Sequence, residues 1–283
     1  MEAILEPLRF DFFLRALAAS AMVGVVCAVV GSYLVLKGLA FLGDAISHAA
    51  FPGVVAAYLW NLPIYVGATL AAVATSLAIG WIARRSHLRT DTTIGVLFAG
   101  MFALGVFLFS TIQGYVADLF GFLFGNVLAI GASDLVALVA LAGLVLGTVA
   151  VLWKELLYAT FDPLGAAASG LRVSWLDALF LVLVAITIVV SLQAVGIILV
   201  VAMLVTPAAT AQLISARFPV LMGISILVGV AAAVTGLYLS YWLDVASGAT
   251  IVLVESALFV AALLFGGRSG LLRPRRARAT EPA

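Results

Sequence analysis

Apolar stretches close to the length of a membrane-crossing helix follow one another along almost the whole chain. They lie at about 13–36, 39–60, 63–83, 92–112, 133–153, 174–192, 194–214, 218–242 and 249–266. Roughly 20 apolar residues cross the hydrocarbon core of a bilayer as an α-helix. The runs are continuous rather than alternating, which argues against a transmembrane β-barrel. The pattern predicts an all-α polytopic membrane protein of about nine transmembrane helices, filling residues 1–266. The second stretch is the least regular, because Pro52 and Gly53 fall inside it. Proline removes a backbone donor, so this helix is expected to break and leave backbone groups free to line a cavity.

Charge placement tests the count. With nine crossings, twelve of the fourteen Lys and Arg residues fall on one side, running from Lys37, Arg84, Arg85, Arg89, Lys154, Arg172 and Arg217 to five arginines in the tail. Arg9 and Arg15 fall on the other. The positive-inside rule then predicts the amino terminus outside and the carboxyl terminus in the cytoplasm. Omitting the second stretch would scatter the same charges over both faces. The first residues lack a basic region followed by a short apolar core and a cleavage site, so the first span is expected to be its own insertion signal.

Composition agrees: 65% of the 283 residues are hydrophobic and 10% charged, against about 25% charged in a soluble domain. The net charge of +1 gives no sign of a nucleic-acid partner. Cys27 stands alone, cannot form an internal disulfide, and reads as a small packed core residue.

Three segments lie between or beyond the spans. Residues 113–132, rich in aromatics and glycine, predict a short external interfacial or re-entrant helix. In the internal connection 154–173, Asp162-Pro163 has the cap-then-proline order that starts a helix, and Gly170 is placed to stop it. The resulting helix, about 163–169, offers a small, weakly polar surface for a soluble partner; a plain connecting loop is the alternative. The tail 267–283 predicts a disordered basic cytoplasmic segment facing anionic lipid.

The candidate chemistry sits in the second stretch. Asp44 and His48 are four residues apart and share one helical face. Counted from Lys37, they lie roughly 10 and 16 Å into the membrane at 1.5 Å per residue. Ionisable groups at such depth cost a few kcal/mol each, so they mark function by default. A carboxylate with an imidazole suits a divalent transition ion. The alternative is a buried Asp–His hydrogen bond that ties helices together. Two ligands do not complete a coordination shell; a second copy of the helix across a dimer axis would add two more, or water and other helices would.

Glu255 is the other acid deep in a span, an accessory metal ligand or, the favoured reading, an interhelical hydrogen bond. His87 reads as a solvated loop residue, and Asp134, Asp177 and Asp244 as caps and interface anchors. Thr206 and Pro207 join a proline kink to small residues, which suits helix packing and possible lining of a path. No Gly-x-x-x-x-Gly-Lys-Ser/Thr loop and no His-Glu-x-x-His occur, so ATP hydrolysis is expected in a partner chain and no enzymatic centre is placed here.

Several motifs resemble one family. Gly43-Asp-Ala-Ile-Ser-His-Ala-Ala-Phe-Pro-Gly53 closely resembles the signature of permease subunits of manganese, zinc and iron ABC importers. Asp91-Thr-Thr-Ile-Gly95, the segment Leu119 to Asn126, Phe161-Asp-Pro163, Pro207-Ala-Ala-Thr-Ala211 and Asp244 to Leu253 are similar to it too, in order, from about residue 13 to 266. The resemblance implies a fold similar to the vitamin B12 and iron-siderophore importer permeases, in the plasma (inner) membrane of a prokaryote. It implies a metal site at Asp44 and His48, and a coupling helix at about 161–170 (Phe161, Asp162, Pro163, Gly170) that docks on an ATPase. The partners it implies are a second permease chain, in a homodimer, two cytoplasmic ATP-binding subunits and an extracytoplasmic metal-binding protein. The cargo would be Mn²⁺, Zn²⁺ or Fe²⁺, with no permanently bound cofactor; the form of the signature leans towards manganese. The segment Asp244-Val-Ala-Ser-Gly-Ala lacks two prolines common in relatives. An ion-gradient transporter using Asp44 and His48 as a proton relay, and a non-transporting membrane scaffold, are the rival readings.

Overall fold

Helices dominate because in a bilayer only internal bonding satisfies the backbone, and a helix achieves that within one segment. The structure, a computed structural model, describes residues 6–112 and 127–266. The segment 113–126 and the basic tail lie outside the described residues, as does the resembling stretch Leu119 to Asn126.

Among the described residues there are twelve α-helices and no strand. In chain order they are α1 (Asp11–Leu36), α2 (Leu42–Ala49), α3 (Phe51–Leu59), α4 (Ile64–Arg85), α5 (Thr90–Phe109), α6 (Ala132–Val151), α7 (Trp153–Phe161), α8 (Pro163–Ala168), α9 (Val173–Val195), α10 (Ile197–Ile214), α11 (Phe218–Leu243) and α12 (Ser247–Phe265). Eight of them, α1, α4, α5, α6 and α9 to α12, are long and apolar enough to cross a membrane. The second stretch is divided between α2 and α3, so no single long helix covers it.

That pair of short helices nonetheless runs from one end of the bundle to the other. Lys37 at the end of α1, Arg84 at the end of α4, Thr90 at the start of α5 and Asp177 near the start of α9 border one cavity. Tyr33, Trp153, Phe180 and Phe218 meet in edge and tilted ring contacts nearby. At the opposite end, Phe13 of α1 packs edge-on against Tyr238 and Tyr241 of α11. Helices α1 and α4 both finish at the first end, so α2 and α3 together must make a crossing. Nine crossings follow among the described residues, and the described cations divide as the charge argument requires.

The break itself is gentle. Ala50 keeps right-handed helical torsions, its N–H donates to Ile46 O at 3.0 Å, and its carbonyl accepts from Val54 at 3.1 Å. Pro52 takes the start of α3, where a missing N–H is tolerated. Gly53 does not open backbone to a cavity as expected; it lies against Gly67 of α4, where a Cβ on either glycine would meet the other's carbonyl oxygen. The correction has a simple cause: glycine allows two helices to touch through their backbones.

Helix α1 is the most buried of the long helices. It packs against α6, α9, α10 and α11, and its Ala16, Val23, Cys27, Val30 and Leu34 are core residues. The internal connection holds more helix than expected: α7 follows α6 almost directly, and α8 follows α7 after Asp162.

Candidate metal centre

Helix α1 stops at Lys37 because Gly38 turns the chain with φ +70°. Gly38 N–H donates to Val35 O and Leu39 N–H to Leu34 O, the paired bonds of a Schellman cap. The chain re-enters helix at Leu42. Asp44 falls in the first turn of α2 and His48 in the last, where the helix dipole favours an anion and a cation respectively. Their exposed faces coincide: His48 Nε2 lies 3.5 Å from Asp44 Oδ1, with side chains 30% and 46% exposed. Neither is sealed in a core, and neither has a salt bridge to Lys or Arg among the described residues.

The carboxylate opens onto a cavity of about 190 Å³ bordered by Phe41, Ala45, Asp91, Ile94, Gly95 and Phe98. Helix α5 supplies one wall. Phe98 and Phe102, four residues apart, stack on each other at 12° and each presents an edge-type contact to His48 at 5.4 Å. Phe51 extends this wall through Phe102. The imidazole thus packs against two rings of α5 while the carboxylate keeps access to solvent. The two donor atoms are close enough for one divalent ion to reach both.

Other expected residues lie elsewhere. Among the described residues no group of three or more His, Cys, Asp or Glu side chains could hold a metal within one chain, and Glu255 stands on α12, outside the residues that border the Asp44 cavity. It is fully buried on α12, and among the described residues neither carboxyl oxygen has a hydrogen-bond partner. The favoured interhelical hydrogen bond is not seen among the described residues; Cys27 of α1 is an electrostatic neighbour. Pro207 is buried inside α10 near Gly229 of α11, and Thr206 O accepts the Thr210 hydroxyl at 2.7 Å. His87 is exposed.

Asp162 caps α8 by accepting Gly165 N–H at 2.9 Å. Gly170, at φ +90°, closes the helix with a second Schellman pair, Gly170 N–H to Ala167 O and Leu171 N–H to Ala166 O. Phe161 is exposed and Leu164, at 84%, more so.

Three features were not legible beforehand. Phe98 and Phe102 looked like any membrane aromatics. Asp91 carried no sign that it borders the Asp44 cavity. Asp177 was expected to cap or anchor; it instead pairs with Lys37, Nζ to Oδ1 2.8 Å. Asp134 does cap α6, accepting Gly131 N–H at 3.0 Å.

Nine crossings, a broken second span and an Asp–His pair beside the break define a multi-pass membrane protein with a potential cation site at its heart. Comparison with known proteins places it more closely. The model of the ABC 3 transport family matches residues 9–266. The chain is 43% identical over 267 residues to the "Manganese transport system membrane protein MntC" of Halalkalibacterium halodurans, covering 94% of this chain and 91% of that protein. It is 41% identical to the "Chelated iron transport system membrane protein YfeD" of Yersinia pestis, covering 93% and 88%. Among solved structures, "PsaBC from Streptococcus pneumoniae in complex with Fab" superposes with a TM-score of 0.83 at 34% identity, over 94% of this chain and 96% of that one. The chain belongs to the ABC 3 transport family.

Proposed function

We propose that this chain is the membrane-spanning subunit of an ATP-driven importer of divalent transition metal, with manganese as the favoured cargo. The observation that carries the reading is the Asp44–His48 pair, 3.5 Å apart on the open face of α2, in a family of transport proteins whose similar members are named for manganese and iron. Each chain offers two donors, so a second copy facing the first supplies four, enough for Mn²⁺, Fe²⁺ or Zn²⁺. The affinity order places Zn²⁺ above Mn²⁺ on the same ligands, so selection must come from geometry and delivery.

Two ATP-binding subunits dock on α8 and the end of α7 through the exposed Leu164 and Phe161, and an extracytoplasmic metal-binding protein delivers the ion to the outer face. ATP binding and hydrolysis alternate access to the pair. The home of the assembly is the inner membrane of a prokaryote. Family membership weighs against a proton-relay transporter and a passive scaffold, neither of which needs an ATPase.

The test is uptake of Mn²⁺, Fe²⁺ and Zn²⁺ in cells carrying Asp44→Ala or His48→Ala, with expression and ATPase association checked. Loss of uptake by assembled variants supports the reading, and the metals lost identify the cargo. Persisting uptake with assembly intact makes the pair structural and overturns it.

A further inference from the structure

Among the described residues, one ion pair joins two different helices: Lys37 Nζ and Asp177 Oδ1, at 2.8 Å. Lys37 is the C-cap of α1, just before the Gly38 turn into α2. Asp177 stands in the first turns of α9, just after the Gly170 turn out of α8. Each partner is thus one glycine joint away from a segment with a proposed role, the Asp44–His48 helix on one side and the ATPase-facing helix on the other.

The links on both sides are short and bonded. Between α8 and α9 lie Ser169 to Arg172, with Val173 N–H donating to Leu171 O and Trp175 N–H to Arg172 O, each at 3.0 Å. A displacement of α8 therefore reaches Asp177 with little slack. On the other side Lys37 N–H is held by Tyr33 O at 2.9 Å, and its Nζ sits 5.8 Å from the Phe180 ring centroid. The pair is partly buried, with side chains 16% and 32% exposed, so the charges interact more strongly than a solvated pair while remaining able to part. Beside them is a cavity of about 220 Å³, which Leu39 and Leu42 at the entry to α2 also border. That space lets the α2 entry shift relative to α9. No Cβ at Gly38 would touch anything within 4 Å, so the joint is free of packing constraints.

We propose that the Lys37–Asp177 pair is the strut that carries movement of the ATPase-facing helix α8 into the metal-binding helix α2, so that breaking it separates ATP hydrolysis from metal passage. The two side chains are positioning residues and touch no metal. The proposal rests on the transport reading above.

The experiment uses the full complex, permease with its ATP-binding subunits and metal-binding protein, in lipid vesicles, and reads Mn²⁺ moved per ATP hydrolysed. The variants are Lys37→Met, Asp177→Asn, Lys37→Arg and the exchanged pair Lys37→Asp with Asp177→Lys. The single neutral variants should lose at least 5-fold in Mn²⁺ per ATP while hydrolysis stays within 2-fold of wild type. Lys37→Arg and the exchanged pair should recover most of the ratio. An unchanged ratio in the neutral variants, or hydrolysis and transport falling together in assembled complexes, overturns the strut. Vesicles with the wild-type complex separate the two readings: if these move no Mn²⁺ with ATP, the transport reading falls and takes the strut with it. If they do and the neutral variants match them, the strut alone falls.

Discussion

Gly53 of α3 and Gly67 of α4 touch through their backbones: a Cβ built on either runs into the other's carbonyl oxygen. This contact seats the broken second span against α4, just beyond the turn that carries His48. It also explains why glycine follows Pro52, since proline starts α3 and glycine lets it lie flat on its neighbour.

Enlarging either glycine should therefore open the contact. Gly53→Val or Gly67→Val is expected to cost roughly 1–3 kcal/mol, as overpacking does elsewhere. Thermal unfolding of the detergent-solubilised protein would register this as a lower Tm. An unchanged Tm would mean that the two helices separate without loss.

The ring pair around His48 gives a second expectation. Phe98→Ala and Phe102→Ala each remove one ring that packs on the imidazole, and loss of supporting groups around a metal ligand typically costs 10–100-fold in affinity. Mn²⁺ titration of the assembled complex should show weakening in that range, smaller for Phe102→Leu. Equal affinity in all three would assign the rings to packing alone.

Gly38 is needed for its torsion, since nothing crowds its Cβ. Gly38→Ala should destabilise by roughly 1–2 kcal/mol, the cost of a left-handed residue with a side chain, and Gly38→Asn by less. Comparing the two by chemical unfolding separates torsional strain from steric contact; a larger loss for Asn would point to contact instead.

Glu255 supplies a prediction of opposite sign. Its carboxyl is fully buried with both oxygens unpartnered among the described residues, and an unsatisfied buried polar group costs about 1–3 kcal/mol. Glu255→Met should raise Tm and leave metal uptake near wild type. Higher Tm with lost uptake would place the carboxyl on the metal's path despite its distance in the fold from α2.

Much of this protein is written in local sequence. Eight of the nine apolar runs each satisfy their backbone within one long helix and the second within two short ones, so length and hydropathy alone locate them, and the distribution of Lys and Arg orients the set. Asp44 and His48 share a face because four residues make about one turn, and Asp162-Pro163 followed by Gly170 marks α8 through backbone chemistry confined to eight or so positions. None of these needs a second helix.

Contacts between helices are another matter. Along a span that is apolar all round, no polar face distinguishes the side that meets protein from the side that meets lipid. Phe98 and Phe102 were therefore indistinguishable from lipid-facing rings, Gly53 from a helix breaker, and Asp177 from an end cap. Glu255 was expected to find a partner, and among the described residues the packing of α12 gives it none. Only the tertiary structure decides such matters, because each depends on which of many equally apolar surfaces the neighbouring helix covers.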